Sequence, residues 1–301
     1  MEESTSKGPI HFALLDQVQK LSQKCPRHHV PMIRLTGKEP FCPECQKEKI
    51  AQRSQEIAQC AENYWHRRKT TGVLERDSIF DDPDLKNATF KNYDESVSTE
   101  ASANWDAARK VAYQYIATLK YKKEQEEIRR RQKEHGDKVQ KMDTSMAFNT
   151  LFTGLPGRGK SHLALSILDA VNEHAAIPVS CLFVSVNEVM RLIKDSFNFP
   201  DSRYTENNMV DLLGNVDLLV LDDLGSEASF KRDNREASEF VQSVLYGILN
   251  QRNCTIITTN LNSHELNDIY NPKLLSRIEK KVKGHIIKFT EMTPDRRGVE
   301  F

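Results

Sequence analysis

Residues 151–164, LFTGLPGRGKSHLA, decide how this chain folds. An apolar run ends in a glycine-rich turn, and the turn opens directly into residues of helical periodicity. That order predicts a strand, a tight loop and a helix N-terminus. Gly154, Leu155, Pro156, Gly157, Arg158, Gly159, Lys160 and Ser161 match the spacing G-x-x-x-x-G-K-S. Glycines there let backbone N–H groups turn inward around a phosphate, Lys160 reaches the β and γ oxygens, and the Ser161 hydroxyl ligates Mg2+. With His162 completing the segment, the expected ligand is Mg-ATP.

Downstream, the pattern alternates. Residues 147–154, 179–186, 216–224, 254–260 and 284–290 are short apolar runs, separated by helical segments beginning near Lys160, Asn187, Arg235 and Ser263 or Pro272. Near-continuous apolar strands with helical crossovers predict a parallel sheet covered on both faces, an α/β fold with a nucleotide-binding core. The third run ends in Asp222 and Asp223. Asp222 is expected in the magnesium shell, and Asp223 orients and polarises the attacking water or, alternatively, caps the next segment. Asn260 ends the fourth run, where an open parallel sheet presents its ligand crevice. There it holds the attacking water, senses the γ-phosphate, or merely forms a turn. Arg277, in PKLLSRIE before the last run, fits an arginine finger once these other pieces are in place.

Upstream, apolar residues at Phe12, Leu15, Val18 and Leu21 predict a short helix over residues 10–24. Prolines then break the chain, and Cys25-x-x-His28 and Cys42-x-x-Cys45 follow, thirteen residues apart. Two such knuckles suit a closed tetrahedral zinc site, structural because no coordination position stays open. His29 in place of His28, or Cys60 on the following polar helix, are alternative ligands. The residues between the knuckles, MIRLTGKEPF, are compatible with a small hairpin. Cys181 and Cys254 fall in predicted strands and are expected in the core. The domain reading is therefore a zinc-binding unit over 1–70, a linker over 71–100 that docks through Phe80, Phe90 and Tyr93, and an ATPase domain over 101–301. A helix striped by Trp105, Ala108, Val111, Ala112, Tyr115, Ile116 and Leu119 opens the last of these, and its charged far end is expected in solvent.

Across 301 residues, 43 Lys plus Arg balance 43 Asp plus Glu, so no global basic field draws the protein to duplex DNA. A local cluster of Lys273, Arg277, Lys280, Lys281, Lys283 and Lys288 against Glu279 is either a nucleic-acid contact or a solvated face. No helix-turn-helix fits after Thr290. Neither a membrane-length apolar run nor a secretory N-terminus is present, and the expected setting is the cytoplasm, without membrane partners.

Taken together, GRGKSHLA, VDLLVLDDLG, TIITTNLN and LLSRIEK, with ATFKNYDES upstream and TPDRR near the end, resemble the DnaC/DnaI family of bacterial replicative helicase loaders and their phage-encoded versions, within the AAA+ ATPases. The resemblance spans residues 80–297. It implies sheet order 5-1-4-3-2, self-association with ATP between subunits, and Arg277 acting on a neighbour's nucleotide. It also implies a zinc-bearing N-terminal domain that grips a hexameric DnaB-type helicase, and delivery of that helicase to single-stranded DNA. Two departures matter. Asp223 stands where many AAA+ proteins have Glu, which implies slow, switch-like hydrolysis. After Thr290 too few residues follow for a full lid, leaving Arg296 or Arg297 as tail contacts to phosphate. An IstB-type transposition helper has very similar core motifs and is the alternative; a nonenzymatic zinc adaptor is a third.

Overall fold

The computed structural model describes residues 18–199, 201–227 and 237–296. The chain forms two units, Met1–His66 and Arg67–Phe301.

In the first unit, β1 (Val18–Lys24) pairs antiparallel with β2 (Pro31–Leu35), and α1 (Pro43–Lys69) follows. The expectation of a helix over residues 10–24 needs correction. Its described part is a strand, and the rest lies outside the described residues. Four apolar residues at helical spacing are outweighed by the pairing that β2 offers, because a short helix gains little by itself. The expected hairpin between the knuckles is also modified. β2 also pairs back to β1, and the hairpin itself is small: Ile33 and Phe41 exchange both backbone hydrogen bonds at 2.9 Å across a turn closed by Lys38 N–H to Leu35 O. No described residue of α1 is buried, as its Gln, Glu, Lys and Arg content leads one to expect.

The second unit is the α/β core. Its strands are β3 (Thr150–Gly154), β4 (Cys181–Ser185), β5 (Leu218–Asp222), β6 (Thr255–Thr259) and β7 (Ile286–Phe289), all parallel, in spatial order β4-β5-β6-β3-β7. Numbered within the core, that is 5-1-4-3-2. Two apolar clusters form on the two faces. Along β5, Leu218 and Val220 enter one cluster while Leu219 and Leu221 enter the other; Phe183 and Val184 of β4 divide the same way. Alternation of side chains with burial on both faces is why these strands read as continuous apolar runs. Cys181 and Cys254 are buried in the core.

Helices α3 (Thr99–Glu134), α4 (Lys160–His174), α5 (Val186–Ser196), α6 (Glu206–Asn215), α7 (Glu239–Asn250), α8 (Ser263–Ile269) and α9 (Pro272–Ile278) complete this unit, together with the short α2 (Val73–Asp77). No residue of α3 beyond Leu119 is buried, so its charged end does face outward. Even so, Lys122 and Lys123 reach back to the buried Asp217 at 3.2 and 2.9 Å. Helix α6 has no counterpart among the expected segments. Its sequence ENNMVDLLGN is poor in helix formers, and the helix is set instead by the Thr205 cap on Asn208 and by burial of Met209 and Leu213. Arg235, the expected start of a helix, lies outside the described residues; α7 begins at Glu239.

Residues 71–100 lie along the core. The backbone around Ile79 extends the sheet edge, with Ile79 N–H donating to Phe183 O at 2.9 Å and Ser185 N–H to Ile79 O at 2.8 Å. Phe80 stacks on Phe183 and Tyr93 is buried. Beyond β7, residues 290–296 run as an irregular strap. Thr290 donates to Glu100, and the Arg296 N–H bonds Gly157 O at 2.9 Å.

Arg252 pins the strand-entry end of the sheet. Its guanidinium is buried and donates to the carbonyls of Leu213 (2.7 Å), Val216 (2.8 Å) and Cys254 (2.7 Å) and to Thr255 Oγ1 (3.1 Å). Burial pulls its pKa down to about 10. Replacing Arg252 with Ala strands these carbonyls away from water, and a loss of about 3 kcal/mol is expected by urea unfolding. A loss below ~1 kcal/mol contradicts this assignment.

Candidate functional site

The site is assembled where β3, β5 and β6 end. Gly154 closes β3 at φ +130°, where a Cβ would lie 1.9 Å from Phe289 O, so a side chain there would break the β3–β7 pairing. Gly159 caps α4 in the left-handed region at φ +94°, directing the first amides of the helix into the cleft. Lys160 is buried, its ammonium donating to Gly154 O (2.7 Å), Leu155 O (2.7 Å) and Asn260 Oδ1 (2.6 Å). Asn260 in turn donates Nδ2–H to Asp223 Oδ1 at 2.7 Å. Amide, ammonium and carboxylate therefore form one connected chain across three strand ends.

Asp222 is buried beside them. Its Oδ1 accepts from Thr258 Oγ1 at 2.6 Å, and Ser161 also bonds the carboxylate. Burial raises its pKa to about 6, against these hydrogen bonds. Thr258 Oγ1 accepts the Asp223 N–H at 2.9 Å, holding Asp223 in the left-handed region at φ +56°. A carboxylate and a hydroxyl placed together at the loop suit an octahedral Mg2+ that keeps most of its waters. Donor set, loop geometry and helix terminus all fit Mg-ATP.

Lys160, Ser161, Asp222, Asp223, Thr258 and Asn260 line a cleft of about 210 Å³ together with Gly157, Gly159, His162, Asp81, Asp82, Leu85 and Arg296. Gly154, Leu155, Pro156 and Arg158 do not line it; the Arg158 guanidinium turns away to the Thr293 carbonyl. His162 is oriented by Thr89 O at 3.0 Å and by the edge of Tyr93, and burial lowers its pKa. Arg296 lies over the Tyr93 ring at 3.8 Å and donates to Asp94 O at 2.6 Å; Arg297 lies outside the described residues. Arg277 is not in this cleft. It rests on α7, its Nε 3.0 Å from Asn250 Oδ1 and its guanidinium 5.5 Å from the Tyr246 ring centre. A roomier cavity of about 270 Å³ opens at the opposite ends of the strands, but Lys122, Asp217 and Arg252 there bond one another or the backbone.

Sequence reasoning missed Thr258, Asp81 and Asp82. Thr258 stands in the quoted TIITTN, and the alternation of that strand marks its side chain as facing the same side as Ile256. The Asp pair lies within DDPD, which reads as linker. Of the basic cluster, Lys280 donates to Arg252 O at 3.1 Å and Lys281 to Thr144 O, so both serve the fold.

In the first unit, Cys25, His28, Cys42 and Cys45 present donor atoms within 4.8 Å of one another. Cys25 Sγ and Cys45 Sγ are 3.8 Å apart, and His28 Nδ1 lies 3.8, 3.7 and 3.3 Å from the Cys25, Cys42 and Cys45 sulfurs. The edge of a tetrahedron with Zn–S bonds of about 2.3 Å is about 3.8 Å. The donors thus fit a zinc ion, and neither His29 nor Cys60 belongs to the group. The other His28 nitrogen meets Glu48 Oε1 at 3.1 Å, and Arg27 bonds the same carboxylate at 3.1 Å. A carboxylate behind a ligating imidazole fixes its tautomer and ring plane. Glu48→Gln is therefore expected to weaken zinc binding roughly 10- to 100-fold in a chelator competition, while Cys60→Ser leaves it unchanged. Equal affinities in both variants contradict a role for Glu48 in orienting His28.

Comparison with known proteins adds to this geometry. The chain is similar to the replicative helicase loader DnaC of Escherichia coli K12, 28% identical over 267 residues that cover 87% of this chain and 88% of that protein. The same name is carried by a Buchnera aphidicola (subsp. Schizaphis graminum) relative, 27% identical over 128 residues, covering 42% of this chain and 49% of the relative. Among solved structures, one described as DnaI superposes with a TM-score of 0.49 at 21% identity, covering 71% of this chain and 96% of that one. The family described as IstB-like ATP binding protein matches residues 81–281, which contain every residue of the nucleotide cleft except Arg296. With the phosphate loop, the acid strand and the Asn260 strand all inside that span, the chain belongs to the IstB-like ATP-binding protein family.

Proposed function

We propose that this protein is an ATP-dependent loader of a replicative helicase, working in the cytoplasm. The observation that carries the reading is the similarity to DnaC along 87% of the chain, joined to a cleft that holds the groups an ATPase needs. Backbone amides at the start of α4 and the Lys160 ammonium bind the phosphates. Ser161 and Asp222 hold Mg2+, which supplies charge neutralisation on the β and γ oxygens when bound. Asp223 takes a proton from, or orients, the attacking water, and Asn260 keeps it in register with Lys160. Arg277, outside its own cleft, serves a neighbouring subunit's nucleotide, so self-association completes the site. The aspartate side chain at 223 is one methylene shorter than glutamate, which favours slow turnover and a switch over a motor.

The zinc-bearing first unit grips the hexameric DnaB-type helicase. In so small a unit the metal supplies much of the folding free energy, so its loss removes the gripping surface. Lys273, Lys283 and Lys288 remain available to single-stranded DNA. A second reading, a transposition helper of the IstB type that loads a transposase on duplex DNA, is favoured by the name of the matching family alone.

The deciding experiment is a pull-down with the full chain, offering the host's hexameric helicase and, separately, duplex DNA. Helicase capture that disappears with chelator or in Cys42→Ser, Cys45→Ser protein, while ATP binding persists, is the expected result. Duplex capture without helicase supports the transposition helper instead. Lys160→Ala should weaken ATP binding at least about tenfold, and turnover of the intact protein should stay below ~10 per second. Faster turnover contradicts the switch.

A further inference from the structure

Four residues past Asp223 the chain makes a contact that phosphate chemistry does not require. Glu227 Oε1 accepts a hydrogen bond from the Tyr270 hydroxyl, and Glu227 Oε2 accepts the Gly225 N–H at 2.8 Å. Tyr270 is only 3% exposed. Burial first, and then the facing carboxylate, push the phenol far above its ordinary range; burial raises the Glu227 carboxyl as well. A buried pair of this kind is costly to break from either side.

Tyr270 ends α8 and Asn271 caps α9, so the phenol anchors the joint between these helices. The same joint is tied from α7, where Gln242 Oε1 accepts from Asn271 N–H at 2.8 Å and from Asn271 Nδ2–H at 2.7 Å. Just before α7, the Ala237 N–H donates to Ile269 O at 3.1 Å. Helix α9 has seven residues, too few to be stable alone, so its ends fix its direction. Arg277 sits in its last turn.

Glu227 belongs to the turn that continues β5. Leu224 N–H donates to Thr258 O at 2.9 Å, Thr259 Oγ1 donates to Leu224 O at 2.7 Å, and Ser226 Oγ donates to Asp223 O at 2.8 Å. One bonded path therefore leads from the acid pair, through this turn, to the base of the helix that carries Arg277.

We propose that Glu227 and Tyr270 are positioning residues: they latch the α8–α9 joint to the turn after the acid strand, so that nucleotide held at Asp222 and Asp223 sets where Arg277 stands against the neighbouring subunit's phosphate. This inference rests on the reading of Arg277 as acting between subunits. Neither residue lines the cleft, and each acts through Arg277.

The test is complementation between full-length subunits, with ATPase activity measured in the presence of oligo(dT). Tyr270→Phe alone should lower turnover roughly fivefold to tenfold while ATP affinity stays within about twofold, the scale of a contact that tunes a distant site. Glu227→Leu should match it, and Glu227→Gln, which keeps an acceptor for the phenol, should retain most activity. Mixing Tyr270→Phe subunits with Asp223→Asn subunits, which keep Lys160 and so hold nucleotide but lack the acid that orients water, pairs an intact cleft with an intact latch, and turnover should recover. Arg277→Ala mixed with Asp223→Asn is the reference. Recovery in the reference but not with Tyr270→Phe overturns the latch and leaves the intersubunit arginine standing. No recovery in the reference overturns the intersubunit reading and the latch with it. Full activity of Tyr270→Phe alone, or a fall in ATP affinity equal to its fall in turnover, also overturns the latch.

Discussion

The buried Lys160 ammonium, shared between two loop carbonyls and the Asn260 amide oxygen, is the interaction on which the rest of the second unit depends. A buried cation needs its donors satisfied on every side. That requirement fixes the relative heights of three strands, because the carbonyls belong to the end of β3, the amide follows β6, and Asp223 follows β5. Parallel register along β4-β5-β6-β3 is what brings those ends level. The two-sided burial of β5 and β6 then makes the arrangement stiff.

The same edge sets the two acids in different surroundings. Asp222 is pushed toward its neutral form by burial, and Thr258 and Ser161 oppose this by hydrogen bonding to its charged form. A cation at Ser161 would tip the balance fully toward the carboxylate. Asp223, one residue on, is turned outward by its left-handed backbone and tied to Asn260. One strand thus ends in a buried acid bonded to Thr258 and Ser161 and an outward acid bonded to Asn260, and the continuing turn carries Glu227 to Tyr270.

The first unit follows a different logic. Its helix α1 buries nothing among the described residues and its two strands form a minimal sheet, so the Cys25, His28, Cys42 and Cys45 cluster is its organising centre. Glu48, one turn into α1, extends that centre into the helix through His28 and Arg27. Small units with so little apolar core commonly rely on metal for their stability.

Much of this was legible in the sequence because local chemistry demanded it. The phosphate loop, the acid strand, the Asn260 strand and the two knuckles each need fixed residue types at fixed spacing, and near-continuous apolar runs announce strands buried on both faces. What depended on distant partners could not be read. Val18–Lys24 has helical spacing yet forms a strand because β2 is there to pair with it. Residues 78–80 look like linker yet extend the sheet because β4 has an open edge beside them. Thr258 and Glu227 look like an ordinary strand residue and an ordinary surface acid, and only folding places one against Asp222 and the other against Tyr270. The sequence determined which groups gather at the glycine-rich loop, since short-range geometry dictates them. The tertiary structure decided which groups hold those in place, since hydrogen bonds between strands and helices far apart in the chain leave no local signature.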